Sequence, residues 1–180
     1  LNKRVASIAK ALGVTDTSRI HLISLRGKQA NLSQLKKQIV EICKLRDIGF
    51  ISIDPVYRIK TGEENSNDDT ADFLLSVEAL AHESGAAIGL THHFAKGNSA
   101  NKNAIDRMSG AGTWARDPDA VIAMTEAKDS TEDEPSFVIE SSLRDFAPLK
   151  PFSIKFAHPI WSLNVEGSLA LMGGKGAGRP

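Results

Sequence analysis

Val5, Ile8, Ala9 and Leu12 recur at the spacing of one helical face, and Gly13 stands where such a helix would be capped. This predicts a helix over 2–12. "RIHLISL" alternates apolar and polar positions and predicts a short strand, Ile20 to Leu25. Leu32, Leu35, Ile39, Ile42 and Cys43 then form a second helical stripe. Asn31 is placed to cap that helix, with Gln34 at the reciprocal position of a capping box. "FISID" is a brief apolar strand that stops at Asp54-Pro55. "DDTADFLLSVEALAHESG" is the clearest helix, with Phe73, Leu74, Val77, Leu80 and Ala81 on one face. Asp68 and Asp69 lie at its positive end and Gly85 stops it. "AAIGLT" follows as a buried strand.

Apolar strands alternating with amphipathic helices predict βαβ units and a mostly parallel sheet covered by helices on both faces. The fold class is therefore α/β. Further on the pattern changes. "DAVIAM", "SFVIESSL" and "PFSIKF" are three strands with no helix between them, so an antiparallel extension on one sheet edge is expected. The core is predicted to run over residues 1–165. Residues 166–180, ending in "MGGKGAGRP", have little core-forming content and are expected to form a disordered tail.

Between the two halves lies "GLTHHFAKGNSANKNAIDRMSGAG". Here an apolar strand ends in two histidines and opens into a long glycine-studded segment without periodicity, a pattern usually tied to function or disorder.

Composition narrows the class but does not decide it. With 180 residues, 41% hydrophobic and 24% charged, the chain can build one real core. No apolar run approaches the roughly 18 residues that span a membrane. The single cysteine, Cys43, lies on an apolar helix face, which points to a buried, reduced thiol and a cytoplasmic protein. Net charge is zero, so the chain as a whole gives no sign of nucleic-acid binding. Locally it does. From His92 to Arg116 four cations (Lys96, Lys102, Arg107, Arg116) face one anion, Asp106. Glu126 to Glu134 is strongly acidic and reads as a solvated turn.

Ligands of open parallel sheets bind beyond the carboxyl ends of the strands. Two strands here end in polar residues, one at Asp54 and the other at Thr91-His92-His93. An acid directly after an apolar strand is where a Walker-B aspartate holds the magnesium of a nucleotide triphosphate. The ordinary alternative is an aspartate that only starts a turn. Consecutive residues of an extended chain point to opposite faces, so the two histidines cannot both chelate one ion from a strand. One can face Asp54 while the other packs as a hydrogen-bonded core histidine. A metal-dependent hydrolase built on Asp54 and a histidine lacks a third ligand at a suitable spacing.

"ISIDPVYRI", "TGEEN", "THHFAKG" and "AIDRMSGAGTWARDPDAVIAM", with "RVASIAKALG" and "LRGKQANLSQL" before them, resemble RecA-like hexameric ATPases of the plasmid and phage replicative-helicase type. The resemblance covers roughly residues 1 to 160. It implies a P-loop NTPase core, ATP and Mg²⁺ bound between subunits of a homo-oligomeric ring, and single-stranded DNA in the channel. Asp54 would be the Walker-B acid and magnesium ligand, with Thr91 beside it at the nucleotide. His92 or His93 would sense the γ-phosphate. The 96–112 loop would lie on the channel side, with Lys96, Lys102 and Arg107 against DNA phosphates. Without the resemblance these cations read as ordinary solvated loop charge. Trp114 is expected in the core.

Rings of this type complete the site with an arginine from the next subunit. Arg144, expected at a sheet edge after "FVIESSL", and Arg107 are the candidates. The ordinary alternative for either is a surface ion pair.

The family also needs a phosphate loop, G-x-x-x-x-G-K-[ST], ahead of the Walker-B strand. These 180 residues contain none: Gly27-Lys28 is followed by Gln29, and Gly174-Lys175 by Gly176. The resemblance therefore implies a partial core, the larger C-terminal part of a RecA-like domain, which alone should not hydrolyse ATP. The alternative is a non-hydrolysing module that binds DNA or assembles with partners.

Overall fold

The computed structural model describes residues 2–27, 30–63, 66–93, 114 and 117–172. They fall into two compact units. One holds Asp16–His93 with Trp114 and Asp117; the other holds residues 2–15 and 118–172.

In the second of these units the chain opens with α1 (Asn2–Ala11). Gly13, with φ of +67°, ends it as predicted. The Gly13 and Val14 amides donate to the Lys10 and Ala9 carbonyls, the paired bonds of a glycine-terminated helix.

Residues 20–25 of the other unit are not a strand. Ile20, Leu22 and Ile23 stand exposed, and no described residue pairs with them. Alternation gives a segment two faces, but a strand also needs a neighbour to take up its N–H and C=O groups.

Next comes α2 (Leu32–Arg46), capped at Asn31. The Asn31 side chain accepts from the Gln34 amide, and the Gln34 side chain accepts from the Asn31 amide. Leu32 and Cys43 of the predicted stripe are buried. β1 (Phe50–Ile53) follows, then a short 3₁₀ turn (Val56–Arg58), α3 (Asn67–Ser84) and β2 (Ala87–Leu90). The α3 stripe is buried at Phe73, Leu74 and Leu80, with Ser66 as N-cap and Gly85 at φ +73° as C-cap.

β1 and β2 pair in parallel, Phe50 opposite Ala87 through Ile53 opposite Leu90. This is the predicted βαβ unit, but the strands are not buried on both faces. Ile51 and Ile53 are half-buried, whereas Phe50 is 61% exposed and Ala87 is open to solvent. The Phe50 ring lies across Gly89, where an added Cβ would come within 2.8 Å of it.

The sheet is also not mostly parallel. β3 (Ala120–Glu126), β4 (Ser136–Leu143), β5 (Phe152–Ala157) and β6 (Ile160–Leu163) form an antiparallel meander in sequence order, and none of them pairs with β1 or β2 among the described residues. Four strands are thus antiparallel and two parallel. β6 is an addition to the three strands read from sequence. It pairs with β5 across the tight turn at His158–Pro159, and Trp161 packs on Phe137 and Phe156.

Registers place side chains of opposite residues on one face. One face carries the small residues Val121, Ala123, Ser136, Val138 and Ser153, all buried. The other presents larger apolar groups, including Ile122 (70% exposed), Leu163 (60% exposed), Met124 and Trp161.

Residues 166–172, assigned above to a disordered tail, are instead tied to this sheet. The Ser168 amide donates to Asp129 Oδ2 at 2.8 Å, Lys128 N–H to the Ala170 carbonyl, and Met172 N–H to Glu126. Residues 173–180 lie outside the described residues. No described helix is long and apolar enough to cross a membrane.

Candidate functional site

The carboxyl ends of β1 and β2 meet at Asp54 and Thr91. The Thr91 amide donates to the Ile53 carbonyl, and the Val56 amide donates to the Thr91 carbonyl, each at 3.0 Å. These two bonds grip the chain on either side of Asp54. The Asp54 side chain itself is exposed and forms no hydrogen bond or ion pair among the described residues. An aspartate serving the turn would spend its carboxylate on nearby backbone amides, as Asp16 does with the Ser18 amide at 2.8 Å. Asp54 makes no such bond to any described residue.

The two histidines part as extended geometry requires. His92 is half-buried, with its ring 4.8 Å from the Trp114 ring. Trp114 is 2% exposed and lies 6.0 Å from Phe73 of α3. Its burial agrees with the core position expected for it. His93 and Thr91 are exposed. The strand end therefore offers Asp54, Thr91 and His93 to solvent, while His92 faces the packed interior. The contact between His92 and Trp114 had no signal in the sequence, because the two rings are brought together from distant positions.

Two ordered turns flank this end. Tyr57 and Arg58 are exposed, with the Arg58 guanidinium 5.3 Å from the Tyr57 ring centroid. The approach to α3 is fixed by Asp69, whose Oδ2 accepts from the Glu63 amide at 2.8 Å.

Among the described residues no group of three or more His, Cys, Asp or Glu side chains is arranged to hold a metal. A caged zinc-type centre is not built from them. A lone exposed carboxylate at a strand end does suit magnesium, which takes one or two protein carboxylates and completes its shell with water and phosphate oxygens. An exposed carboxylate of this kind is compatible with a magnesium-bound nucleotide.

The family model described as AAA domain matches residues 1–99, more than half of the chain. The chain belongs to the AAA domain family. It is accordingly an ATPase-type, nucleotide-binding domain, and the matched residues include Asp54, Thr91, His92, His93 and Lys96. The chain matches no curated protein at a significant level.

Lys96, Lys102 and Arg107 lie outside the described residues. Arg144 belongs to the other compact unit of this AAA domain protein. It follows β4, which lies between β3 and β5, but β5 pairs only with Ser136–Ile139, so among the described residues the end of β4 next to Arg144 has β3 alone beside it. Its Nη1 donates to Asp119 Oδ1 at 2.7 Å and its backbone amide to the Asp119 carbonyl. Among the described residues its ion pair is made with Asp119, just ahead of β3, rather than with the adjacent Asp145.

Proposed function

We propose that this chain is the core of an ATP-driven DNA motor of the RecA-like replicative-helicase type. In this reading it binds Mg-ATP at a boundary between subunits and single-stranded DNA through the 96–112 segment. The observation that carries the reading is Asp54. Its unengaged carboxylate stands at the end of a parallel strand, gripped on both sides by bonds to Thr91, within the part of the chain that matches the AAA domain.

When bound, Mg²⁺ would supply positive charge that offsets the charge developing during phosphoryl transfer. Asp54 would hold that ion. Thr91 offers a hydroxyl at the same strand end. His93 takes the sensing role, because it is exposed while the ring of His92 is engaged by Trp114. Lys96, Lys102 and Arg107 neutralise DNA phosphates. Arg144, or Arg107 in its place, reaches the nucleotide of a neighbouring subunit, and for Arg144 this requires exchanging Asp119 for phosphate. Its guanidinium suits that exchange, since carboxylate and phosphate present similar oxygen pairs to the same fork. Assembly with further copies is supported by the apolar face of the antiparallel sheet. Exposed apolar patches beyond a few hundred Å² mark association surfaces in soluble proteins.

The test is binding of fluorescent oligonucleotides over a range of salt, with sedimentation velocity on the same samples. Replacing Lys96, Lys102 and Arg107 together by alanine should weaken binding alike for all sequences. It should also flatten the log–log salt dependence by about 2, since each phosphate contact in a single strand contributes roughly 0.7. An unchanged slope would return the three cations to solvated loop charge. A strictly monomeric chain at every concentration would remove the assembly part of the reading.

A further inference from the structure

The chain leaves the parallel sheet at His93 and is next described at Trp114, whose ring lies on that of His92. Leaving residue and returning residue are thus held one ring contact apart. Phe73 of α3 stands on the Trp114 ring as well, so the indole is held between the end of β2 and the helix that crosses from β1. The Trp114 Nε1–H is buried and has no hydrogen-bond partner among the described residues. Among those residues, ring packing is what holds the indole. On the other side of His92 is Thr91, which carries both backbone bonds that grip Asp54.

We infer that Trp114 is a positioning residue for the Asp54 strand end. By holding His92 against α3 it keeps Thr91 in register with Ile53 and Val56, and in sequence it follows the end of the 96–112 segment by two residues. A change at the nucleotide site and a change in that segment are then felt by one side chain. The geometric part stands on these contacts alone. Its link to DNA rests on the function proposed above.

The experiment uses the full chain. Amide exchange at Thr91 and Val56 reads the grip on Asp54 directly. Trp114→Ala should speed exchange at both by about tenfold, the effect of losing roughly 1.4 kcal/mol of local ordering. Amides in the interior of α2 and α3 should stay as they are. Trp114→Phe should behave like the wild type, because it keeps a ring and loses no hydrogen bond. His92→Ala approaches the same contact from the strand side and should reproduce the alanine effect if Trp114→Ala fails to fold. Unchanged exchange at Thr91 and Val56 in Trp114→Ala, or in His92→Ala where that variant must stand in, overturns the inference. So does a loss in Trp114→Phe equal to that in Trp114→Ala.

Binding of an oligo-dT separates the two levels. Trp114→Ala should lower affinity severalfold with an unchanged salt slope, since the contacts persist but their anchor is loosened. If the wild type binds no DNA, the motor reading fails while the exchange result still decides the role of Trp114. An oligo-dT affinity unaffected by a Trp114→Ala variant that does show fast exchange breaks the proposed link between anchor and segment.

Discussion

Arg144 shows how one residue can satisfy a structural and a functional reading together. Its guanidinium is half exposed and its partner Asp119 more so. Pairs of this kind contribute about 0.2–1 kcal/mol, because water screens the charges and ordering two side chains costs entropy. Arg144→Ala should therefore lower stability by less than about 1 kcal/mol in urea unfolding. A loss of several kcal/mol would mean that Arg144 serves the fold of its own sheet, and the role across subunits would pass to Arg107. Other residues were legible to different degrees. Asp54 was visible in sequence because an acid after an apolar strand is a local pattern. That His92 and not His93 turns inward was not, since alternation separates two faces without saying which is inside. Trp114 was legible as core, but its partner was not, because ring packing between distant positions leaves no spacing to read.

At the level of elements, the local signals held and several non-local ones did not. The Asn31–Gln34 box and the glycines after α1 and α3 each act within a turn of chain, and each stands where the sequence put it. The strand expected at Ile20–Leu25 required a partner that no described residue supplies. β6 was missed because "IWSL" is short and follows a proline. Residues 166–172 looked like a tail because their attachment is made by backbone groups and one carboxylate. That carboxylate makes the attachment depend on pH. The Ser168 amide, with help from the Ser136 hydroxyl, holds Asp129 below its ordinary value of 3.8. A lowered value in the folded state means that its contribution is complete above 3.8 and is lost as pH falls through the folded value. The Ser168 amide resonance should shift in that acid range in the wild type and not in Asp129→Asn. A wild-type resonance that stays flat there would show that the carboxylate does not hold the segment.

For the whole molecule, the alternation of strands and helices gave the α/β class and the one βαβ unit correctly, and gave the wrong balance of strand directions. Periodicity cannot tell a parallel neighbour from an antiparallel one, and it cannot say which face of a sheet is buried. In the antiparallel sheet the small residues are inside and Ile122 and Leu163 are outside, the reverse of what size would suggest. Nucleotide binding follows from membership of the AAA domain family. In the proposed reading the nucleotide sits at the strand end marked by Asp54. Paramagnetic relaxation by Mn²⁺, a hard cation that shares magnesium's preference for oxygen ligands, tests it on this chain even where affinity is low. With ATP and Mn²⁺ present, amide signals of Asp54, Val56 and Thr91 should broaden first, and Asp54→Asn should abolish the effect. Broadening centred elsewhere, or equal in Asp54→Asn, would contradict the claim.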